Sequence, residues 1–375
     1  MKTRKLFVIF LLIFIFGCGY ISVRTPFILS GNNYQEQSIT EGKLRILSWN
    51  IHKNVNDINW ENDFIKIVSE KNPNVILLQE VRLEMNIIKL FKDDLQMGWE
   101  FSPNLFQGKY DAYAGVMTAS YIRPTMAKPA LSSGTEPFTK IPKPVLFTRY
   151  NLGLAALEEW GLDMMSATDE PDKQKKINKF KDEKSKRTVL IVKVDTDTRK
   201  VWTIAMYNDE GEFVNKELTD AENNELAIEL NKEEEDKDRI LKLASSYLGL
   251  APLELLIVNI HCINFKIDLN EFKEQIRYVA GEVMAHDGPV IMAGDFNTWS
   301  KNRLEHLDMI VKELELVKIT FSSKSNYVKT AFGNPLDHIF ISKEKLEVVK
   351  GSEDVIAAIN SSDHKPLFVE LRILQ

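Results

Sequence analysis

The sequence predicts an α/β fold whose sheets are covered on both faces, and three features carry that prediction. The runs LRILSWNI (44–51) and VILLQEV (75–81) are continuously apolar rather than alternating, as strands buried on both faces are. A helical pattern, Trp60 to Lys71, lies between them with Phe64, Ile67 and Val68 on one face. A second unit of the same kind follows late in the chain: strand Leu253–His261, helix Leu269–His286, strand Pro289–Gly294. Strand, helix, strand in this order is the signature of a layered α/β body.

The remaining elements follow in order. Asn72-Pro73-Asn74 stops the first helix. Ala114–Tyr121 and Val145–Thr148 are further strand candidates, and Leu336–Ile341 and Leu367–Ile373 close the body. Phe101 to Tyr113 reads as a loop. From about 152 to 252 the rhythm breaks into charge runs such as DKQKKINKFKDEKSK and NKEEEDKDR, enclosing a predicted hairpin, RTVLIVKVD-TDTR-KVWTIAMYND, and a predicted helix, Thr219–Tyr247. This stretch is expected to be an insertion of about 100 residues, the size of a small subdomain.

The 375 residues can bury a large core, and length alone allows two domains or one large domain with insertions. The composition, 44% hydrophobic and 27% charged, is that of a globular protein. A net charge of -6 gives no sign of a strongly basic nucleic-acid binder, although a basic stripe over a site remains compatible with it. Two cysteines, Cys18 and Cys262, make neither a disulfide framework nor a Cys-rich zinc site.

The N-terminus has its own logic. Lys2, Arg4 and Lys5 precede an apolar run, Leu6 to Phe16, and then Gly17-Cys18-Gly19. A basic start, an apolar stretch and small residues make an export signal. Ile15-Phe16-Gly17-Cys18 resembles a bacterial lipobox with Cys18 as the lipidated residue, apart from Phe16 where a small residue is usual. An uncleaved anchor over Leu6–Val23 and a plain cleaved signal are the alternatives. All three readings place the body outside the cytoplasm, and the first two tether it to a membrane. The expected organisation is residues 1–18 as signal or anchor, 19–42 as a polar tether, and 43–375 as the catalytic domain with its insertion.

Six short clusters carry the chemistry: SWNIH (48–52), LLQEV (77–81), VNIHC (258–262), AGDFNT (293–298), LDHIF (336–340) and SSDHKP (361–366). Each places polar groups at or just past the end of an apolar strand, where open α/β sheets build their sites. Singly each is weak. Together, and in this order, they resemble the endonuclease/exonuclease/phosphatase superfamily of DNase I-like nucleases, inositol-polyphosphate phosphatases and neutral sphingomyelinases. The resemblance implies a four-layered α/β sandwich, two packed mixed β-sheets flanked by helices, interrupted by the insertion.

The resemblance also implies roles. Glu80, with Asn50 and Asp363, would form the metal site, and hard oxygen ligands of that kind suit Mg²⁺, with Mn²⁺ as a substitute. His364 would be the general base, since imidazole titrates near neutrality, and Asp337 would orient it. Asp295 would align the attacking water, while Asn297 and His261 would bind phosphoryl oxygens. Cys262 is expected to be a small buried hydrophobe. His52 stands where some family members carry an acidic residue near the metal, and a supporting role for it stays open; His338 is read as structural or peripheral, and His286 and His306 as surface residues. Tyr113, Tyr121 and Arg149 are candidates for a further phosphate contact. The expected activity is metal-dependent hydrolysis of a phosphodiester or phosphomonoester, in nucleic acid or a lipid head group. A lipid phosphoesterase of the sphingomyelinase or phosphoinositide type and a catalytically silent surface interaction protein are the alternatives.

Overall fold

The computed structural model describes residues 20–374 except 40–41, 138, 153–160, 168, 184–187, 195–200, 208–212, 231–239, 241–243, 245–253, 265, 267 and 322–333. The apolar run 6–16 and Cys18 lie outside the described residues. By its internal contacts the chain divides into two compact units. The first holds the described parts of Met1–Ser38, Lys43–Tyr150 and Glu254–Ile373, and the second those of Ile39–Gly42, Asn151–Leu253 and Leu374–Gln375.

The elements, in chain order, are β1 (Tyr20–Ser22), β2 (Leu29–Gly31), β3 (Lys43–Asn50), α1 (Ile58–Lys71), β4 (Val75–Arg82), α2 (Met85–Lys89), β5 (Gly98–Gln107), β6 (Ala112–Ser120), β7 (Met126–Thr135) and β8 (Pro142–Asn151). In the second unit come β9 (Gly161–Ala167), α3 (Glu170–Glu183), β10 (Thr188–Val194), β11 (Val201–Tyr207), β12 (Phe213–Glu217) and α4 (Asp220–Leu230). The first unit resumes with β13 (Glu254–His261), α5 (Asn270–Met284), β14 (Val290–Asp295), α6 (Lys301–Glu313), β15 (Leu316–Lys318), β16 (Asp337–Ser342), β17 (Leu346–Val348), β18 (Asp354–Val355) and β19 (Leu367–Ile373).

Two mixed sheets make the body of the first unit. One runs β1-β5-β6-β4-β3-β19-β17, with β2 also on β5 and β18 also on β19; the other runs β15-β16-β14-β13-β8-β7. The period-2 alternation of each strand decides what faces what. Leu47, Trp49, Ile76 and Leu78 point outward into a core with Trp60, Phe64 and Ile67 of α1, where the Trp60 and Phe64 rings stack at 5.0 Å. Val258, Ile260 and Met292 point outward the other way, to Phe272, Ile276 and Val279 of α5 and Leu307 of α6. The result is helix, sheet, sheet, helix: the four layers expected.

The inward faces meet in the middle and are locked by a buried polar pair. Gln79 Nε2 donates to Asn259 Oδ1 at 2.8 Å, and Asn259 Nδ2 donates to the Met117 carbonyl at 2.8 Å. Two groups that would be costly to bury alone therefore fix the register of one sheet on the other. Helix α1 starts on Asp57, whose side chain accepts from the Asn59 amide at 2.9 Å, and ends on Asn72 in the left-handed conformation.

Three expectations are corrected. The polar tether over 19–42 is not one in its described part. Tyr20–Ser22 and Leu29–Gly31 both pair antiparallel with β5, and Val23 is buried with its amide on the Asn104 carbonyl at 3.0 Å. Three-residue strands are too short to show a period, which is why the segment reads as aperiodic. Phe101 to Tyr113 is not a loop but β5, a four-residue turn and the start of β6. His306 is buried beside the Phe272 ring rather than on the surface.

The second unit carries the predicted hairpin as the antiparallel pair β10–β11, with Leu190 opposite Ala205. The described part of the charge run before it lies in helix α3, which connects β9 to β10 in parallel pairing. The predicted Thr219–Tyr247 helix is described over Asp220–Leu230, and much of the remainder lies outside the described residues. Among the described residues no helix is long and apolar enough to cross a membrane.

One glycine fixes the strand end that matters most. Gly294 in β14 has φ +140, and a Cβ there would strike the Ile260 carbonyl on the neighbouring strand. Gly294→Ala is expected to lower stability by at least about 1–3 kcal/mol from backbone strain alone. Urea unfolding followed by circular dichroism checks this, and an unchanged midpoint would refute it.

Candidate active site

Sheet register gathers the site. In the second sheet His261 lies opposite Asp295, and Asp295 opposite Asp337, so β13, β14 and β16 present three polar side chains in one row. In the first sheet Asn50 pairs with Gln79 at the end of β3, and Glu80 follows at once. The β4–β6 register shifts between Leu78 and Val81, and Glu80 there has φ 53. A bulge in the left-handed region turns a side chain away from the alternation of its strand. It aims this carboxylate at the row across the sandwich: His261 Nε2 lies 3.7 Å from Glu80 Oε1.

His364 sits in the turn before β19. Its Nδ1 is 2.7 Å from Asp337 Oδ2 and its Nε2 is 3.9 Å from Asp295 Oδ2. The backbone is held as well. The Trp49 indole donates to the His364 carbonyl at 3.0 Å, and Ser362 Oγ accepts from the His364 amide at 3.2 Å while donating to the Asn50 carbonyl at 2.7 Å. One imidazole nitrogen is thus engaged by a carboxylate and the other faces the site.

Asp295 is the hub. It accepts from Asn50 Nδ2 at 3.0 Å and from the Asn297 amide at 2.9 Å, and His261 Nε2 lies at 3.6 Å. Burial pushes its pKa up to about 7; His364 opposes the rise and the neighbouring Asp337 adds to it. His364 shows the reverse balance. Burial alone would lower it, but Asp337 and Asp295 push it up to about 10. Asn297, at φ 51, turns its side chain away from the hub and donates to the Cys262 carbonyl at 2.9 Å.

Two lysines complete the site that the motifs left incomplete. Lys53 is ion-paired with Glu80, and Lys143 Nζ is 3.0 Å from His261 Nε2 and 3.4 Å from Glu136 Oε1. Burial by itself would raise the Glu80 pKa, but Lys53, His261 and Lys143 hold it well below the usual carboxylate range. Burial and Lys143 together push the His261 pKa far down. His261 Nε2 and the Lys143 ammonium therefore face each other at that wall of the site. Lys143 lies in IPKPVLF, inside a segment whose sequence gave no reason to choose one residue over another. None of the three middle-region candidates reaches the row: Tyr113 packs on Phe27 and Phe106, Tyr121 on the partly buried flank of the α1 core, and Arg149 on Glu254 at 3.7 Å.

Asp363 stands apart from the expected metal ligands. Its carboxylate is exposed and faces the equally exposed His52 at 3.6 Å. His338 is buried on Thr298 Oγ1 at 2.7 Å, and Cys262 is fully buried. A cleft of about 330 Å³ opens beside the row, lined by Glu80, His261, Lys53, Lys143, Gln107 and Tyr20 among others.

As to a divalent ion, Glu80 offers a half-buried carboxylate kept ionised, and the Lys53 ammonium sits on it as a cation would. Hard oxygen of this kind fits Mg²⁺ or Mn²⁺. Asp295, Asp337 and His364 also bring potential ligand atoms within 4.8 Å of one another, but the 2.7 Å hydrogen bond inside that group already occupies Nδ1 and a carboxylate oxygen.

A UPF0294 protein of Photorhabdus laumondii is 36% identical over 139 residues, which are 36% of this chain and about half (51%) of that protein. Among solved structures, an endonuclease/exonuclease/phosphatase from Beutenbergia cavernae is similar over 88% of this chain and 72% of that one, at 13% identity and a TM-score of 0.48. The catalytic domain of human nocturnin, solved with bound sulfate, is similar over 96% and 98% of the two chains, at 11% identity and a TM-score of 0.44. The family model described as endonuclease/exonuclease/phosphatase matches residues 47–364, from the strand of Asn50 to the histidine paired with Asp337. The chain belongs to the endonuclease/exonuclease/phosphatase family, a family of phosphoester hydrolases.

Proposed function

We propose that the protein hydrolyses phosphodiesters in a reaction that depends on Mg²⁺, with Mn²⁺ as a substitute, and that it is exported and held at a membrane by its N-terminal segment. One observation carries the catalytic reading: a buried imidazole fixed by Asp337 at 2.7 Å, whose free nitrogen faces Asp295 across the site from an ionised Glu80. That is a base with an orienting partner, set opposite a hard-oxygen cation site.

The residues divide the work as follows. His364 Nε2 takes the proton of the attacking water, and Asp337 holds Nδ1 and stabilises the imidazolium. Asp295 accepts a hydrogen bond from that water and aims it. Lys143 and Lys53 neutralise phosphoryl oxygens, and Asn50 keeps Asp295 in place through its amide. Glu80 would hold the divalent ion. When bound, the ion supplies charge neutralisation at the phosphoryl group and the leaving oxygen.

The test is hydrolysis of bis-p-nitrophenyl phosphate by the purified protein with Mg²⁺. Turnover abolished by EDTA and restored by Mg²⁺ is the expected result. Turnover indifferent to EDTA would remove the metal from the reading, and no turnover with any divalent ion would remove the enzyme.

A further inference from the structure

The N-terminal strand β1 puts Tyr20 in the wall of the catalytic cleft. Tyr20 pairs with Gln107 and Ser22 with Leu105, and Tyr20 lines the same cleft as Glu80 and His261. The apolar run Leu6–Phe16 and Cys18 immediately precede it in sequence. A chain reaches at most about 3.6 Å per residue, so Tyr20 lies within about 7 Å of Cys18 and about 15 Å of Phe16. A free tether of 24 residues would let the body roam over several tens of ångströms. Locking Tyr20–Ser22 onto β5, with Val23 buried behind it, removes that freedom.

The surface around this point has the composition of a bilayer interface. Ile21 is 65% exposed, Tyr20 44% and Tyr110 41%. Tyr110 lies in the turn between β5 and β6, next to the Gln107–Tyr20 pair. It is stacked on Arg82 at 3.9 Å, with Lys109 Nζ 5.1 Å from its ring. Lys140, in the connection whose Thr139 and Ile141 line the cleft, is exposed. Asp111 is the acidic member of the turn. Amphipathic aromatic side chains beside cationic ones sit at the head-group level of membranes.

From the anchor's exit point and this rim together, we infer that Tyr20, Ile21, Lys109 and Tyr110 form a membrane-docking surface. It presses the mouth of the catalytic cleft against an anionic lipid interface, so that the substrate enters from the bilayer as a phospholipid head group. The inference rests on the proposed phosphoesterase and membrane attachment and names the substrate's source. The interfacial layer is several ångströms deep on each side of the hydrocarbon, which matches the short reach from Cys18 to the cleft.

The test uses the full chain in vesicles of equimolar phosphatidylcholine and phosphatidylglycerol. Thr139→Cys at the cleft rim and Met309→Cys on α6 are labelled with bimane, and each is read as the difference from the unsubstituted chain, whose Cys262 is buried. Lipids brominated near the glycerol should quench most of the emission at 139 and leave 309 unchanged. Equal emission changes at both positions, or none at 139, would overturn the docking. In the second arm, a flexible Gly/Ser linker of about 20 residues is inserted between Gly19 and Tyr20. It should lower hydrolysis of a fluorogenic phospholipid in the vesicles at least about tenfold while leaving bis-p-nitrophenyl phosphate turnover unchanged. Equal phospholipid turnover with and without the linker, or faster turnover of a soluble oligonucleotide than of the phospholipid, would overturn the assignment of the substrate's source. Failure on bis-p-nitrophenyl phosphate by every form would count against the phosphoesterase reading alone, because the quenching still reports orientation.

Discussion

Asp337→Asn is expected to fold normally and to lose about 10²–10⁴-fold in kcat, the range supplied by a positioned general base. The amide can still meet His364 Nδ1 but no longer stabilises the imidazolium, and it does not enforce the tautomer that leaves Nε2 free to accept. The pH dependence separates this from a structural lesion. His364 is pushed up to about 10 by Asp337 and Asp295 against its burial, so the metal-free site holds it protonated at neutral pH, and the reactive neutral form grows as pH rises. Removing one of the two carboxylate charges moves that limb down toward the ordinary histidine range near 6.5. Stability carries the same signature. A group whose folded pKa lies above its unfolded value stabilises fully below the unfolded value, here about 6.5, and that contribution is lost as pH climbs through about 10. Urea midpoints of the wild type should therefore fall between neutrality and pH 10, and the fall should be smaller in Asp337→Asn. Unaltered turnover with an unmoved pH limb would end the assignment of His364 as the base.

Glu80→Gln is expected to weaken Mg²⁺ binding by at least about 10²-fold and to cut turnover correspondingly, since removing even an outer partner of a metal site costs 10–100-fold. The substitution keeps size and hydrogen bonding but takes away the charge. Lys53→Met should move the ion affinity the other way, because the ammonium that competes for the carboxylate is gone. Calorimetric titration with Mg²⁺ and Mn²⁺ checks both directions without an activity assay. Equal affinity in the wild type and Glu80→Gln would place the ion elsewhere, with Asp295 and Asp337 the next candidates.

The fold was legible where strands are long and buried on both faces. LRILSWNI, VILLQEV and the strands read over Leu253–His261 and Pro289–Gly294 all appear within a residue of those bounds, because a continuous apolar run between breakers has few other solutions. The short edge strands β1 and β2 were not legible, since three residues carry no period and their stability comes from the long partner strand β5. The site was legible in its motif residues: Asn50, Glu80, His261, Asp295, Asp337 and His364 converge because cross-strand register brings strand ends together. It was not legible in Lys53 and Lys143. A lysine near a motif looks like any solvated lysine until the fold shows which carboxylate or imidazole it faces. Asp363 fails for the opposite reason. Adjacency to His364 in sequence sends its side chain out of the site, beside His52.

The packing of the two sheets has a consequence for how long the protein keeps working. Asn50, Glu80 and His364 come from one sheet and its turn; His261, Asp295 and Asp337 come from the other. The base and its orienting carboxylate are themselves on opposite halves, and the register between the halves rests on Gln79 and Asn259. A compact state that keeps its secondary structure but loses fixed packing would hold every catalytic residue and no catalytic geometry. Loss of function on heating should therefore coincide with loss of tertiary order, so the molecule's useful lifetime is the lifetime of the seam between its sheets.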